Sequence, residues 1–145
     1  MLINDIVSGI SQKLHETFGG GFEIYKEQVK QGLNPPCFKI SCVNSTVSHI
    51  TGDRYHMANL FSVVYFPKNA LALEAECRDM QVTLFDKLEY VFVDGCPIRG
   101  TGMGGQLVDG SLVFTVNYNL FVKKIDKEQR EPMETLVQIN IEAKG

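Results

Sequence analysis

Four cysteines and three histidines are the side chains of this 145-residue chain that could bind a metal or act as a nucleophile or base. Cys37 and Cys42 have four residues between them, whereas structural zinc sites commonly space their paired cysteines by two. Cys77 falls on an apolar helical stripe, where a thiol behaves as a small hydrophobic group. We therefore predict buried free thiols, Cys96 included, and no zinc site.

The three histidines do not predict a metal site either. His15 lies on a predicted helix beside Glu16, and we expect it at the surface. His49 and His56 flank a predicted turn and could meet across it, but a metal needs a third and a fourth ligand. Only Asp53 is close in sequence, so a solvated turn is the prediction.

Four glycines in the segment RGTGMGGQ, residues 99–106, suggest a nucleotide-binding loop at first sight. A phosphate-binding loop requires a lysine after its last glycine, and a dinucleotide motif leads into a helix. Here no lysine follows and the next element reads as a strand, so we predict a bulged or bent strand. The sequence also lacks G-x-S-x-G and H-E-x-x-H. No catalytic residue, metal or cofactor is predicted.

Composition bounds the class of protein. The length fits one domain, and 44% apolar with 21% charged residues is ordinary globular usage. The net charge of −3 argues against a general nucleic-acid or membrane-surface binder, which needs clustered positive charge. The N-terminus carries Asp5 and no continuous apolar run, and no stretch approaches the ~18 apolar residues of a membrane span. We expect a cytosolic chain.

The first half of the chain reads as a helix followed by strands. Apolar residues spaced by three and four predict a helix over 2–18, ended by three glycines. Alternation predicts strands over 22–30 and 37–43, joined by a loop at 32–36. A long hairpin then joins strands 44–51 and 54–66. Its first arm is polar on both faces, so we expect it to project or to contact another subunit.

The second half begins with a helix over 69–90 that carries the stripe of Cys77. Short strands follow at 90–93, 97–108 and 111–123, and Asp109-Gly110 is the strongest hairpin signal in the chain. This order predicts an α+β fold, a mostly antiparallel sheet with two helices packed on one face.

Residues 1–123 form one predicted domain, and residues 124–145 form a charged linker and C-terminal extension. The extension holds an apolar patch that includes Leu136 and Ile139, which could add a strand to a sheet edge of its own chain or of a partner. Arg54 and Arg99 stand at strand starts, either as solvated side chains or as members of ion pairs across a subunit interface.

Several blocks of the sequence, in this order and spacing, resemble one known family. They are IYKEQVKQGLNPPCFKI, GDRYHMANLFSVVYFP, KLEYVFVDG, RGTGM and VDGSLVFTVNYNLFV, after an opening amphipathic helix. Together they are similar to the small tail terminator proteins of tailed bacteriophages, prophages and phage-tail-like bacteriocins. The likeness covers roughly residues 1–125.

This resemblance implies a structural protein of the virion tail and no enzyme. It implies a ring, expected to be six-fold, that caps the tail tube and offers a surface to the head connector or, in a contractile tail, to the sheath. Assembly is expected in the host cytoplasm. The residues expected at its interfaces are His49, Arg54, Tyr55, Arg99, Met103, Leu136 and Ile139.

Three other functions stay open. The chain could be a head–tail connector or stopper, which would occupy the neighbouring position in the same particle. It could also be a small ligand-binding protein or an enzyme, either of which requires a compact pocket with convergent polar groups.

Overall fold

Two helices and seven strands make up the computed structural model, which describes residues 2–26, 35–68, 73–125 and 136–140. The helices are α1 (Leu2–Phe18) and α2 (Leu73–Lys87). The strands are β1 (Glu23–Tyr25), β2 (Cys37–Thr51), β3 (Arg54–Phe66), β4 (Tyr90–Val93), β5 (Cys96–Val108), β6 (Ser111–Ile125) and β7 (Leu136–Asn140). The predicted α+β class is confirmed. Within this part of the chain, neither helix is long and apolar enough to cross a membrane.

One sheet contains all the strands, in the spatial order β1-β2-β3-β6-β5-β4, and β7 adds to β6. Only the β1–β2 pair is parallel. β3 and β6 are central, which fits the run of large apolar residues at the end of β3. β5 pairs with β6 through residues 100–108 and with β4 through residues 96–99, so it leaves β6 at Gly100.

The core lies between the helices and one face of the sheet. Helix α1 contributes Ile6, Ile10 and Leu14, which are fully buried because their spacing puts them on one side of the helix. The buried stripe of α2 holds Cys77, Met80, Leu84 and, just after the helix ends, Leu88. Burial of one such large aliphatic side chain stabilises the fold by about 1.5–3 kcal/mol.

Every second residue of β3 and β6 faces the helices. These core residues are Phe61, Val63, Tyr65, Leu112, Phe114, Val116, Tyr118 and Leu120. Because side chains alternate between the two faces of a strand, the residues between them point away from the helices.

Both Asp-Gly turns have the geometry that the sequence predicts. Asp109 and Gly110 have φ values of 49° and 78°, and Asp94 and Gly95 have 52° and 78°. Two successive positive φ values are the requirement of a type I′ turn, which matches the twist of the strands that it joins.

Several predicted boundaries are wrong. The predicted strands 37–43 and 44–51 are one continuous strand, β2, because a bulge between Cys42 and Asn44 shifts the pairing without interrupting it. β1 is shorter than predicted, and residues 27–30 lie outside the described part. α2 ends at Lys87 rather than at residue 90, and the backbone carbonyl oxygen of Glu89 already accepts a hydrogen bond from the amide of Gly100, 2.6 Å away.

The glycine-rich segment is a bent strand, as predicted. The β5–β6 register shifts between Thr101 and Gly104, and Gly102 has a φ of +58°. A Cβ atom at Gly100 would lie 2.7 Å from Cγ2 of Val116 and 3.0 Å from the carbonyl oxygen of Leu88. Glycine at position 100 therefore permits a close approach of this chain's own segments, which is its established role here.

Candidate interaction surface

The far end of the sheet is the part of the fold that the core does not explain. We call it the distal sheet: residues 45–51 of β2, residues 54–59 of β3 and residues 118–123 of β6, which pair side by side. β2 changes character along its length, from buried at Phe38 and Ile40 to exposed at every residue from Thr46 to Thr51. Since consecutive residues point to opposite faces, both faces of this half of β2 meet solvent.

The predicted hairpin of β2 and β3 is present, and β6 pairs with it along its length. β6 follows β3 to the tip, where Arg54 is paired with Lys123. The amide of Lys124 donates a hydrogen bond to the carbonyl oxygen of Asp53 at 2.8 Å, and the Lys123 ammonium lies 4.0 Å from the Asp53 carboxylate. A third strand thus supports the arm, which makes the projecting end stiffer than an isolated two-stranded hairpin.

His49 and Tyr55 form a pair on one face of the tip. They are opposite each other in the β2–β3 register, and their rings are 5.0 Å apart. The Nε2 atom of His49 lies 2.8 Å from the carbonyl oxygen of Gly52, a hydrogen bond in which the ring N–H donates. Tyr55 packs partly against the core, whereas His49 is exposed. The two predicted interface residues therefore present one combined surface.

His56 lies on the opposite face, where its ring is 5.1 Å from that of Phe121. His49 and His56, which the sequence allowed to meet across the turn, lie on opposite faces, because adjacent cross-strand pairs alternate between faces and the two histidines fall in adjacent pairs. In the described ranges, no group of three or more metal-ligating side chains is present. Phe121 is 42% exposed, so this face is also apolar in part.

A buried polar network marks the base of the distal sheet. Asn59 is fully buried in β3, and its Oδ1 accepts a hydrogen bond from Oγ of Ser45 at 2.6 Å. Its Nδ2 donates to the carbonyl oxygen of Tyr118 at 3.0 Å. One side chain thus ties β2, β3 and β6 together. Sequence reasoning missed this role, although an asparagine at a core-facing position of an otherwise apolar alternation is a usable signal.

Arg99 and Met103 lie away from the tip, on β5. Arg99 forms an ion pair within its own chain, with 3.6 Å between its Nε and a carboxylate oxygen of Glu89. Met103 is half-buried against the core. The structure therefore brings together His49, Arg54 and Tyr55, and it separates them from Arg99 and Met103.

Leu136 and Ile139 belong to β7, whose backbone pairs antiparallel with β6 of the same chain. Ile139 is opposite Val122, and Leu136 is opposite Ile125. Of the two alternatives that the sequence left open, the patch adds to its own sheet. It lies on the side of β6 that β5 has left, beside the distal sheet.

The thiols are free, as predicted, but not all are buried. Cys37 and Cys77 are buried, Cys42 is intermediate and Cys96 is exposed at the β4–β5 turn. Burial raises the pKa of the Cys37 and Cys77 thiols, which keeps them protonated and unreactive. The prediction of a buried Cys96 is wrong, because a turn cannot supply the surrounding atoms that burial requires.

An open cavity of about 480 Å³ lies beside α2, lined by Phe22, Tyr65, Met80 and the carboxylates of Glu76 and Asp79 among others. The Tyr65 hydroxyl donates a hydrogen bond to Glu76. Burial, together with this bond, raises the pKa of Tyr65, so its phenol stays neutral. The Tyr65 hydroxyl and the Glu76 carboxylate therefore satisfy each other at the wall of the cavity.

Comparison with protein-family models matches residues 5–130 to the phage tail terminator proteins. The match spans most of the chain. The chain belongs to the phage tail terminator family. A comparison with curated proteins found no match.

Membership in the tail terminator family gives the chain a structural role in a phage tail. The match ends at residue 130, so β7 lies beyond it, whereas the distal sheet, α2 and α1 from residue 5 onward lie within it. A structural role fits the geometry, since contacts in an assembly need exposed strands and side chains rather than a reactive cleft.

Proposed function

We propose that this tail terminator forms a six-fold ring that caps the tail tube, ends tube polymerisation and presents its other face to the head connector. One observation carries the proposal: the distal sheet exposes both faces of β2 over the six residues from Thr46 to Thr51, and β6 and the Asn59 network support it. A stiff, exposed sheet end is a suitable contact surface, because little conformational entropy is lost when it docks.

The tip residues have the chemistry of such a contact. His49 and Tyr55 offer a pair of contacting aromatic rings, and exposed Arg54 adds a guanidinium that can form paired hydrogen bonds with a partner's carboxylate. Aromatic and arginine side chains are enriched where protein interfaces are strongest. In this mechanism the tip docks on the tube end or on the next subunit, and growth stops because the outer face lacks the tube's own docking surface.

Deletion of the reading frame in the producing strain tests the proposal, with tube lengths measured by electron microscopy. Tubes of uncontrolled, extended length are the expected result. Tubes of normal length that fail to join heads would assign the chain to the connector instead. Particles of normal length and full activity would contradict both structural functions.

Complementation of that deletion separates the surfaces. The wild-type chain should restore a single tube length, and Arg54→Ala should not. Arg78→Ala is a matched control, because Arg78 is an exposed arginine on α2 whose partner is Glu74, 3.8 Å away in its own helix. Equal failure of both variants would mean that the tip has no special role.

A further inference from the structure

Two edge segments in the long strands β2 and β5 have no strand partner on their outer side among the described residues. The first is the outer edge of β2 at residues 45–49, since β1 pairs with β2 only through Cys37, Phe38 and Lys39. The second is the outer edge of β5 at residues 104–108, since β4 pairs with β5 only through residues 96–99. An unpaired edge presents a row of backbone N–H and C=O groups that can accept another strand.

Neither edge segment carries the charged residues or prolines that prevent an edge strand from pairing with another molecule. Residues 45–49 read STVSH and residues 104–108 read GGQLV, without lysine, arginine, aspartate, glutamate or proline. Monomeric proteins commonly place such residues on long edges to prevent pairing between molecules. Two bulges interrupt the β2–β3 ladder, but they lie outside residues 45–49, which remain regularly paired with β3.

Exposed apolar side chains lie on the same two segments or directly beside them. Five of the nine large hydrophobic residues exposed in the described part are on β2 or at the end of β5: Val43, Val47, Ile50, Leu107 and Val108. They are between 42% and 58% exposed. Contact between the two edges would remove this apolar surface from water on both sides at once.

Strand direction favours the same pairing. β2 is antiparallel to β3, β3 to β6, and β6 to β5. Three reversals make β5 antiparallel to β2. A second molecule in the same orientation, placed beside the first, would therefore bring its β5 edge antiparallel to β2, the more favourable arrangement. The two edges lie at opposite ends of the strand order, so the contact is head-to-tail and can repeat by rotation.

The other edge strands fit less well. At β4, helix α1 approaches the backbone so closely that a Cβ on Gly9 would lie 2.8 Å from the carbonyl oxygen of Phe92. β7 pairs with residues 121–125 of β6, on the side that β5 has left, which gives a different geometry and becomes an outcome of the test.

We propose that residues 45–49 of β2 pair, antiparallel, with residues 104–108 of β5 in a second copy of this chain. This pairing rests on the proposed ring and names the strands that would hold its subunits together. It uses the part of the glycine-rich segment where Gly104 and Gly105 carry no side chains of their own, and where the side chain of Gln81 packs over Gly105. The side chains of Val47 and Leu107 then lie near the seam between the molecules.

Self-association of the full-length chain tests this pairing, measured by sedimentation velocity on the wild type and on single-charge variants. Thr46→Lys and Gln106→Lys each place a lysine on one edge and should weaken association by about tenfold or more. Asn119→Lys is the matched control. Asn119 is exposed in β6 and shares a cross-strand row with Thr46 through Ala58, so its face is the same but it lies on neither of the two proposed edge segments.

Charge pairing identifies the strands. The double variant Thr46→Lys/Gln106→Glu should recover part of the association that Thr46→Lys loses, whereas Thr46→Lys/Gln106→Lys should lose more. Amide hydrogen exchange provides the second measurement: residues 45–49 and 104–108 should be protected in the wild-type assembly and should lose that protection in Thr46→Lys.

Several results would overturn the pairing. Equal weakening by Asn119→Lys would assign association to the face of the sheet rather than to its edge. Protection at residues 136–140 in place of 104–108 would assign the contact to β7. A wild-type chain that does not self-associate, alone or on purified tail tubes, would exclude the pairing altogether.

The tests of the strand pairing and of the proposed capping function can fail independently. A chain that assembles through these edges but leaves tube length unchanged contradicts capping alone. Edge variants that assemble normally while deletion still lengthens the tubes contradict the pairing alone.

Discussion

The phenolic hydroxyl of Tyr118 donates a hydrogen bond to the carbonyl oxygen of Leu88, with 2.5 Å between the two oxygens. Tyr118 is fully buried in β6, and Leu88 follows the end of α2. Gly100 packs against the same two residues, where a Cβ would lie 3.1 Å from Cε1 of Tyr118. This junction fixes α2 to the centre of the sheet at the level where β5 departs and the distal sheet begins.

The first prediction concerns Gly100. Gly100→Ala should destabilise the chain by about 1–3 kcal/mol, because the new methyl group would overlap Val116 and the Leu88 carbonyl oxygen. Gly104→Ala is the control, since its Cβ would meet nothing nearer than 4.0 Å, and its effect should stay within about 0.5 kcal/mol. Urea denaturation measures both. Similar values for the two variants would contradict the close packing at Gly100.

The second prediction concerns the Asn59 network. Asn59→Ala should lower the free energy of unfolding by about 1–3 kcal/mol, because Ser45 and the Tyr118 carbonyl oxygen lose a buried partner. Asn119→Ala, an exposed asparagine on the adjacent strand, should change it by no more than about 0.5 kcal/mol. If Asn59→Ala proved neutral in urea denaturation, the network would not hold the base of the distal sheet.

Alkaline pH should unfold this chain through its buried tyrosines. Burial raises the pKa of Tyr118 above the value of about 10 that it has in the unfolded chain. The folded state therefore keeps a proton that the unfolded state loses, so stability is complete below about pH 10 and falls as the pH rises beyond it. The free energy of unfolding between about pH 8 and pH 11 should show this decline.

Tyr118→Phe separates the two contributions of that hydroxyl. At neutral pH it should cost about 1 kcal/mol, for the lost hydrogen bond to Leu88. Above about pH 10 its stability should fall less steeply than that of the wild type, with Tyr65 supplying the remaining slope. An unchanged slope would show that Tyr118 ionises as freely in the folded chain as in the unfolded one.

The thiols should react in a fixed order. Cys96 is exposed, whereas Cys37 and Cys77 are fully buried and their pKa values are raised by burial. A thiol-specific reagent should label Cys96 in the native chain and reach Cys37 and Cys77 only after unfolding. Mass spectrometry of the labelled peptides reads the order directly. Rapid native labelling of Cys77 would mean that α2 opens readily from the sheet.

The tip of the distal sheet should matter to assembly but not to folding. Arg54→Ala and His49→Ala remove exposed side chains, so each should change stability by no more than about 0.5 kcal/mol. Both should fail to restore a single tube length in the deletion strain. Thermal melts measure the stability of the two variants, and electron microscopy measures the tube lengths. A large loss of stability would assign these residues a role in folding instead.

The sequence by itself determined the class of fold and the order of its elements. The spacing of Ile6, Ile10 and Leu14 permits only one buried side on a helix, and the alternation in β6 permits only one buried face on a strand. Asp109-Gly110 specified its turn, because few residue pairs accept two positive φ values. These features are local, so neighbouring residues contain the whole signal. The block pattern also gave the family.

Tertiary structure alone decided which distant residues meet. Pairing of β3 with β6 carries the third strand to the hairpin tip, separates His49 from His56 and puts Asn59 between Ser45 and Tyr118. The fold around β4 and β5 gives Arg99 an ion-pair partner, Glu89, in its own chain and leaves Cys96 exposed to solvent. Such contacts depend on register between segments far apart in sequence. A shift of two residues would keep every side chain on its face and still change each of these pairs, so the alternation within one strand does not specify them.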